Sequence, residues 1–169
     1  ALVLIDLQKE WTDKSSDYYV GDISKVIQNT NVLIDFCRQH DYKIIWTTHI
    51  EKNSTKEFVD GSQNVKLIDE LHKKDFDVIV SKNKISPFFL TSLEQELRGI
   101  SEVVVGGIQT NLCVRSFVQD AYDRDFGITV VKDCCTALDD ETQAFTFKDL
   151  KATREEVQFL DLNDFIQLK

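Results

Sequence analysis

Histidine is scarce in this chain: His40, His49 and His72 are the only ones among 169 residues. A zinc site built on several histidines is therefore disfavoured. Cysteine is limited to Cys37, Cys113, Cys134 and Cys135, with no Cys-x-x-Cys pair. Neither a disulfide framework nor a zinc ribbon is indicated, and a reducing, cytoplasmic setting fits best. One proline, Pro87, and six glycines argue against a linker-rich or low-complexity chain. Methionine is absent, and nothing in the sequence accounts for it. No apolar run approaches the roughly 18 residues of a membrane span. No basic stretch followed by an apolar one opens the chain, so no signal peptide is expected. Basic residues number 20 against 29 acidic ones, giving a net charge of −9. That balance argues against nucleic acid or an anionic membrane surface as a partner. No G-x-G-x-x-G and no G-K-[ST] occurs, so the pair Gly106-Gly107 does not mark a dinucleotide site or a P-loop.

What is present reads as one domain over residues 1–169. The hydrophobic share is 42%, enough for a sizeable core. Short, β-branched apolar runs recur: Leu2–Ile5, Tyr42–Trp46, Val78–Val80, Val103–Val105, Ile128–Val131 and Val157–Leu160. Most are continuous rather than alternating, as strands read when both sheet faces are buried. Between them lie helical patterns at residues 22–39, from about Asn111 to Tyr122, and at 140–153. Thr91 with Glu94 offers a capping box before Leu93 and Leu97, and His72 falls in a further predicted helix. The alternation implies a parallel sheet covered on both sides. Residues 8–21 and 50–62 read as long loops, either functional or simply mobile connections.

The polar residues fall at the carboxyl ends of the strands. The first run ends in Asp6, the second in Thr47-Thr48-His49, the third in Ser81-Lys82 and the fourth in Gly106-Gly107 leading to Cys113. Open parallel sheets bind ligands at that edge. Cys113 follows a glycine turn at a predicted helix start, where partial positive charge favours a thiolate and free N–H groups can hold an oxyanion. The alternative is a small buried filler. Asp6 is either a functional acid or a cap, and Lys82 either a functional cation or a solvated side chain. Cys37, Cys134 and Cys135 read as core fillers.

These residues resemble the isochorismatase-like cysteine hydrolases, which include nicotinamidases, N-carbamoylsarcosine amidase and isochorismatases. Ala1–Gln8 looks like the family's first strand with its catalytic Asp and following Gln. Val80-Ser81-Lys82 with Ser86-Pro87-Phe88 looks like the Lys strand and its aromatic-bearing loop, and Val103–Val114 like the nucleophile motif. The resemblance implies a Rossmann-like three-layer α/β sandwich with a six-stranded parallel sheet in order 3-2-1-4-5-6. It also implies a triad of Asp6, Lys82 and Cys113, and a cis peptide at Ile108–Gln109. The implied oxyanion site is the backbone N–H of Gln109 and Cys113. Trp11, His49, Phe88, Phe89 and Asn111 are candidates for the substrate pocket; the aromatic ones read equally as core. Nicotinamidases of the family carry an Asp-x-His pair after the second strand. Here the segment is Thr47-Thr48-His49-Ile50-Glu51, so no metal and no cofactor are expected. Where many members have a His after the fifth strand, this chain has Gln143.

The resulting expectation is hydrolysis of a C–N amide-type bond in a small molecule through a thioester. A Cys113–His49 pairing is the rival mechanism. Isochorismatase-type vinyl-ether hydrolysis and a non-catalytic binding or assembly role are the rival functions. The resemblance further implies a homodimer or homotetramer.

Overall fold

All four side chains of the first strand, β1 (Leu2–Ile5), are buried, and their directions alternate between two cores. β1 lies between β2 (Ile44–His49) and β4 (Glu102–Ile108) and runs parallel to both. With β3 (Val78–Lys82), β5 (Gly127–Thr136) and β6 (Gln158–Leu160) it forms a parallel sheet of six strands in the order β3-β2-β1-β4-β5-β6. The sheet and its order are those implied by the resemblance. The computed structural model describes residues 1–168; Lys169, the last residue of the expected domain, lies outside the described residues.

On one face Leu2, Leu4, Trp46, Val104 and Val131 meet Leu33, Ile34 and Cys37 of α1 (Ser24–Gln39) and Phe165 of α5 (Leu162–Gln167). On the other face Val3, Ile5, Ile45, Val105 and Val130 meet Phe117, Val118 and Ala121 of α3 (Arg115–Tyr122) and Leu150 of α4 (Asp140–Thr153). Double coverage explains the continuous apolar runs, because a strand buried on both faces has no side that needs polar residues. Asp139 caps α4 by accepting from the Thr142 N–H at 2.7 Å. Among the described residues no helix is long and apolar enough to cross a membrane.

Several local expectations need correction. The short α2 covers only Leu93–Glu96. Thr91 Oγ1 does accept from the Leu93 N–H, at 3.2 Å, but Glu94 turns away to Arg124 at 3.6 Å, so no capping box closes. His72 lies outside any helix and bonds Asp35 at 2.9 Å. β5 runs on past Asp133 through Cys134 and Cys135 to Thr136. The helix expected from Asn111 is preceded by one π-helical turn, Thr110–Val114, before α3 begins. Residues 8–21 include a 3-10 turn at Lys9–Thr12.

Backbone packing between β1 and β4 is closest at Gly107, which pairs with Ile5. Its φ is +141°, and a Cβ there would stand 2.1 Å from the Ile5 carbonyl oxygen. Only glycine meets both demands. Gly107→Ala is expected to cost about 3 kcal/mol or more. The denaturant midpoint of the variant against the parent measures this, and an unchanged midpoint refutes it.

Candidate active site

The site grows out of the carboxyl ends of β1, β3 and β4. Asp6 follows β1 directly and is wholly buried, with φ 51°, a conformation that a non-glycine residue holds only under restraint. Thr47 of β2 supplies part of that restraint: its hydroxyl donates to Asp6 Oδ1 at 2.6 Å, and Asp6 N–H approaches the Thr47 carbonyl at 3.2 Å. Trp11 adds to it by donating its indole N–H to the Asp6 carbonyl at 2.6 Å.

Lys82 ends β3, two strands away from β1, and its long stem bridges the gap. Its Nζ lies 2.6 Å from Asp6 Oδ2, and neither side chain has any exposure. The Lys84 carbonyl accepts from the same ammonium at 3.1 Å. Cys113 Sγ and His49 Nδ1 each lie 3.4 Å from it. The contact with Oδ2 is an ion pair off the hydrogen-bond direction, so that oxygen lacks a directed hydrogen bond. It is open to accept a proton.

Cys113 sits in the π-helical turn, nearly buried. Burial pushes its thiol up to about 12, the Asp6 carboxylate adds to that, and Lys82 opposes it. The expected thiolate at a helix start is thus not the resting state: desolvation outweighs the helix end and the ammonium. The site rests as a neutral thiol beside an Asp6–Lys82 ion pair. The turn itself is anchored from behind. Ile108–Gln109 is a cis peptide, and the Gln109 carbonyl accepts from the N–H groups of Leu112 and Val114 at 3.1 Å each. Thr110 donates to Gln143 Oε1 at 2.6 Å, and Gln143 Nε2 donates to the Cys135 carbonyl at 2.9 Å. Gln143 thereby ties α4 to the turn that carries Cys113 and to β5.

The remaining candidates scatter. Phe89 is half exposed and lines two clefts beside the site. The first, about 550 Å³, runs along Ser81, Lys82 and Asn83 against Glu51 and Lys52. The second, about 610 Å³, contains Asn111, Leu112 and Arg115. Phe88 is buried against Phe117 at 5.6 Å, so it belongs to the core. Trp11 is also buried, with its ring edge-on to Phe58 and Tyr18. The His49 imidazole is turned to Lys82 and to Glu51 rather than into either cleft, with Glu51 Oε2 3.3 Å from Nε2. Cys37, Cys134 and Cys135 are buried in the two cores, their thiols pushed up by desolvation. Thr47, Glu10 and Glu51 received no role from the sequence; the one available signal was their place in the chain close to Gln8 and His49. A metal does not fit well here. Among the described residues no three His, Cys, Asp or Glu side chains converge for one, and His49 Nδ1 lies 3.4 Å from the Lys82 ammonium.

The chain is thus a parallel α/β sheet that gathers a buried acid, ammonium and thiol beyond the carboxyl ends of β1, β3 and β4. The model of the isochorismatase domain matches residues 1–159. Nicotinamidase 3 of Arabidopsis thaliana is 26% identical over 165 residues, covering 89% of this chain and 79% of the relative. Ureidoacrylate amidohydrolase RutB of Acinetobacter baylyi is 38% identical over 77 residues, 44% of this chain and 31% of the relative. The crystal structure of an isochorismatase-like hydrolase from Alkaliphilus metalliredigens superposes with a TM-score of 0.88 at 22% identity, covering 99% of this chain and 96% of that one. The chain belongs to the isochorismatase family and is a hydrolase of that family.

One more feature joins the two long loops. Glu10 is buried, and its Oε2 accepts from the Phe58 N–H at 3.0 Å. Glu57 accepts from Ser16 Oγ at 2.8 Å. Burial first, and the neighbouring Glu57 carboxyl second, raise the Glu10 carboxyl above its usual range. A raised acid stabilises the fold while it keeps its proton; that contribution fades as the pH rises from the unfolded value through the folded one. Glu10→Gln keeps an acceptor for the Phe58 N–H without the charge. Its melting temperature is expected to exceed the parent's at pH 8, with the gap closing toward pH 4. A gap that widens on acidification contradicts the raised Glu10 carboxyl.

Proposed function

We propose that the protein is a cysteine amidohydrolase, cleaving a C–N bond of a small molecule through a thioester on Cys113. The observation that carries this reading is the Lys82 ammonium, at 2.6 Å from Asp6 and 3.4 Å from Cys113 Sγ. It holds Asp6 ionised and faces the sulfur on which negative charge develops. As Sγ attacks the carbonyl carbon, Asp6 Oδ2 takes the thiol proton. The proton therefore need not leave for solvent, and a thiol raised to about 12 is no obstacle, since it ionises only in concert with attack. Backbone N–H groups of Gln109 and Cys113 take the oxyanion. Asp6 then passes its proton to the leaving amine. A water that enters gives its proton to Asp6 and attacks the thioester carbonyl, and Asp6 returns that proton to the departing Cys113 sulfur.

Phe89 and Asn111 are the pocket residues this reading retains, because both line the cleft along the turn that carries Cys113. Trp11 and Phe88 act through packing: Trp11 holds the Asp6 carbonyl, and Phe88 lies in the core behind α3. The nicotinamidase and ureidoacrylate amidohydrolase relatives favour an amide over a vinyl ether.

A panel of small amides and N-carbamoyl acids, assayed for ammonia release, tests the reading. Cys113→Ala is expected to lose at least about a thousandfold in kcat with an unchanged melting temperature, and Asp6→Asn to lose a similar factor. Retained turnover in Cys113→Ala overturns the thioester. A Cys113 inert to iodoacetamide at neutral pH, together with no turnover, points to a non-catalytic member.

A further inference from the structure

Lys82 has one directed partner for each of its protons. Its ammonium carries three N–H groups, which meet the Lys84 carbonyl, His49 Nδ1 and Cys113 Sγ, while Asp6 Oδ2 is held as an ion pair. His49 Nδ1 can accept only in the neutral tautomer with its proton on Nε2, and Glu51 Oε2 stands 3.3 Å from Nε2, where it selects that tautomer. Gln8 fixes the backbone beneath: its Oε1 accepts from the His49 N–H at 2.7 Å and its Nε2 donates to the His49 carbonyl at 2.9 Å. Phe58 closes the remaining side of the ring, at 5.2 Å between centroids.

We propose that His49 and Glu51 form a positioning relay that aims the Lys82 ammonium at the gap between Asp6 and Cys113. His49 does not touch the reacting atoms; it acts through Lys82. The inference rests on the chemistry proposed above, but its tests read the thiol and the imidazole without needing a substrate. Protonating His49 removes the acceptor and places a second cation beside Lys82, which disturbs the ammonium. The charged groups facing the ring are Lys82 from β3, Asp6 from β1 and Glu51 from the following loop. Burial and Lys82 hold its pKa below the ordinary histidine value, while Asp6 and Glu51 pull the other way. The relay therefore stays neutral at physiological pH and fails only on acidification.

Nitrogen NMR of the imidazoles gives the first test. His49 is expected to be neutral at pH 7 with a bare Nδ1, and Glu51→Gln is expected to move its titration to lower pH. A proton on Nδ1 overturns the relay, since that tautomer cannot accept from Lys82. The second test is the rate of Cys113 alkylation by iodoacetamide, followed by peptide mass spectrometry. His49→Ala is expected to slow it about tenfold, and His49→Gln, which retains an acceptor, to restore it to within about twofold. The ratio of parent to His49→Gln rates cancels the thiol's own titration, and it is expected to fall as the pH drops through the His49 midpoint. An unchanged rate in His49→Ala, a flat ratio, or a parent Cys113 that resists alkylation overturns the proposal. Where an amide is turned over, His49→Ala lowers kcat and leaves KM; a raised KM with kcat intact would instead make His49 a substrate contact. Alkylation that follows this pattern without any amide turnover would refute the hydrolytic reading alone.

Discussion

A buried ammonium is tolerated only where acceptors surround it. Lys82 has them because three strands end on one rim: β1 delivers Asp6, β2 delivers His49 and β3 delivers Lys82 itself. Removing one partner of such a pair strands a charge without solvent, so the ion pair and the sheet order depend on each other. The lysine stem must cross the width of β2 to reach Asp6, and the parallel register of His49 against Lys82 lets it do so.

The thiol is fixed to this ion pair through the join between β1 and β4. Gly107 lets the two backbones come closer than any side chain would permit, and the turn that follows holds Cys113 over Asp6 and Lys82. Gln143 and Thr110 brace that turn from α4. The two long loops are braced separately, through Gln8, Glu10 and Glu57. Each element of the site is thus positioned by a strand end and locked by a polar side chain from a neighbouring element. That arrangement keeps geometry tight in a region with little regular structure.

Where residues carry information in runs, the sequence was readable. Six apolar runs marked the six strands, and α4 began and ended where its pattern did. Asp6, Lys82 and Cys113 stood out because each follows such a run, and the structure brings all three within contact distances. Side-chain direction was not readable. Phe88 and Phe89 are neighbours in the chain, yet one packs in the core and the other lines the clefts. Nor was the balance of electrostatics: the helix start at Cys113 suggested a thiolate, but burial, which no local pattern reports, keeps the proton on sulfur. The partner that Glu94 would choose and the loop setting of His72 likewise depended on what packed nearby.

By itself the sequence determined the parallel sheet, through continuous β-branched runs that suit strands with two buried faces, and it determined which polar residues would stand on the rim, because they end those runs. Only the tertiary structure decided their chemistry. Whether Asp6 and Lys82 pair, which way His49 turns and whether Cys113 is ionised all depend on distances of a few ångströms between residues far apart in the chain, and on how much water is left between them. Both are properties of the packed molecule, and no stretch of chain encodes them locally.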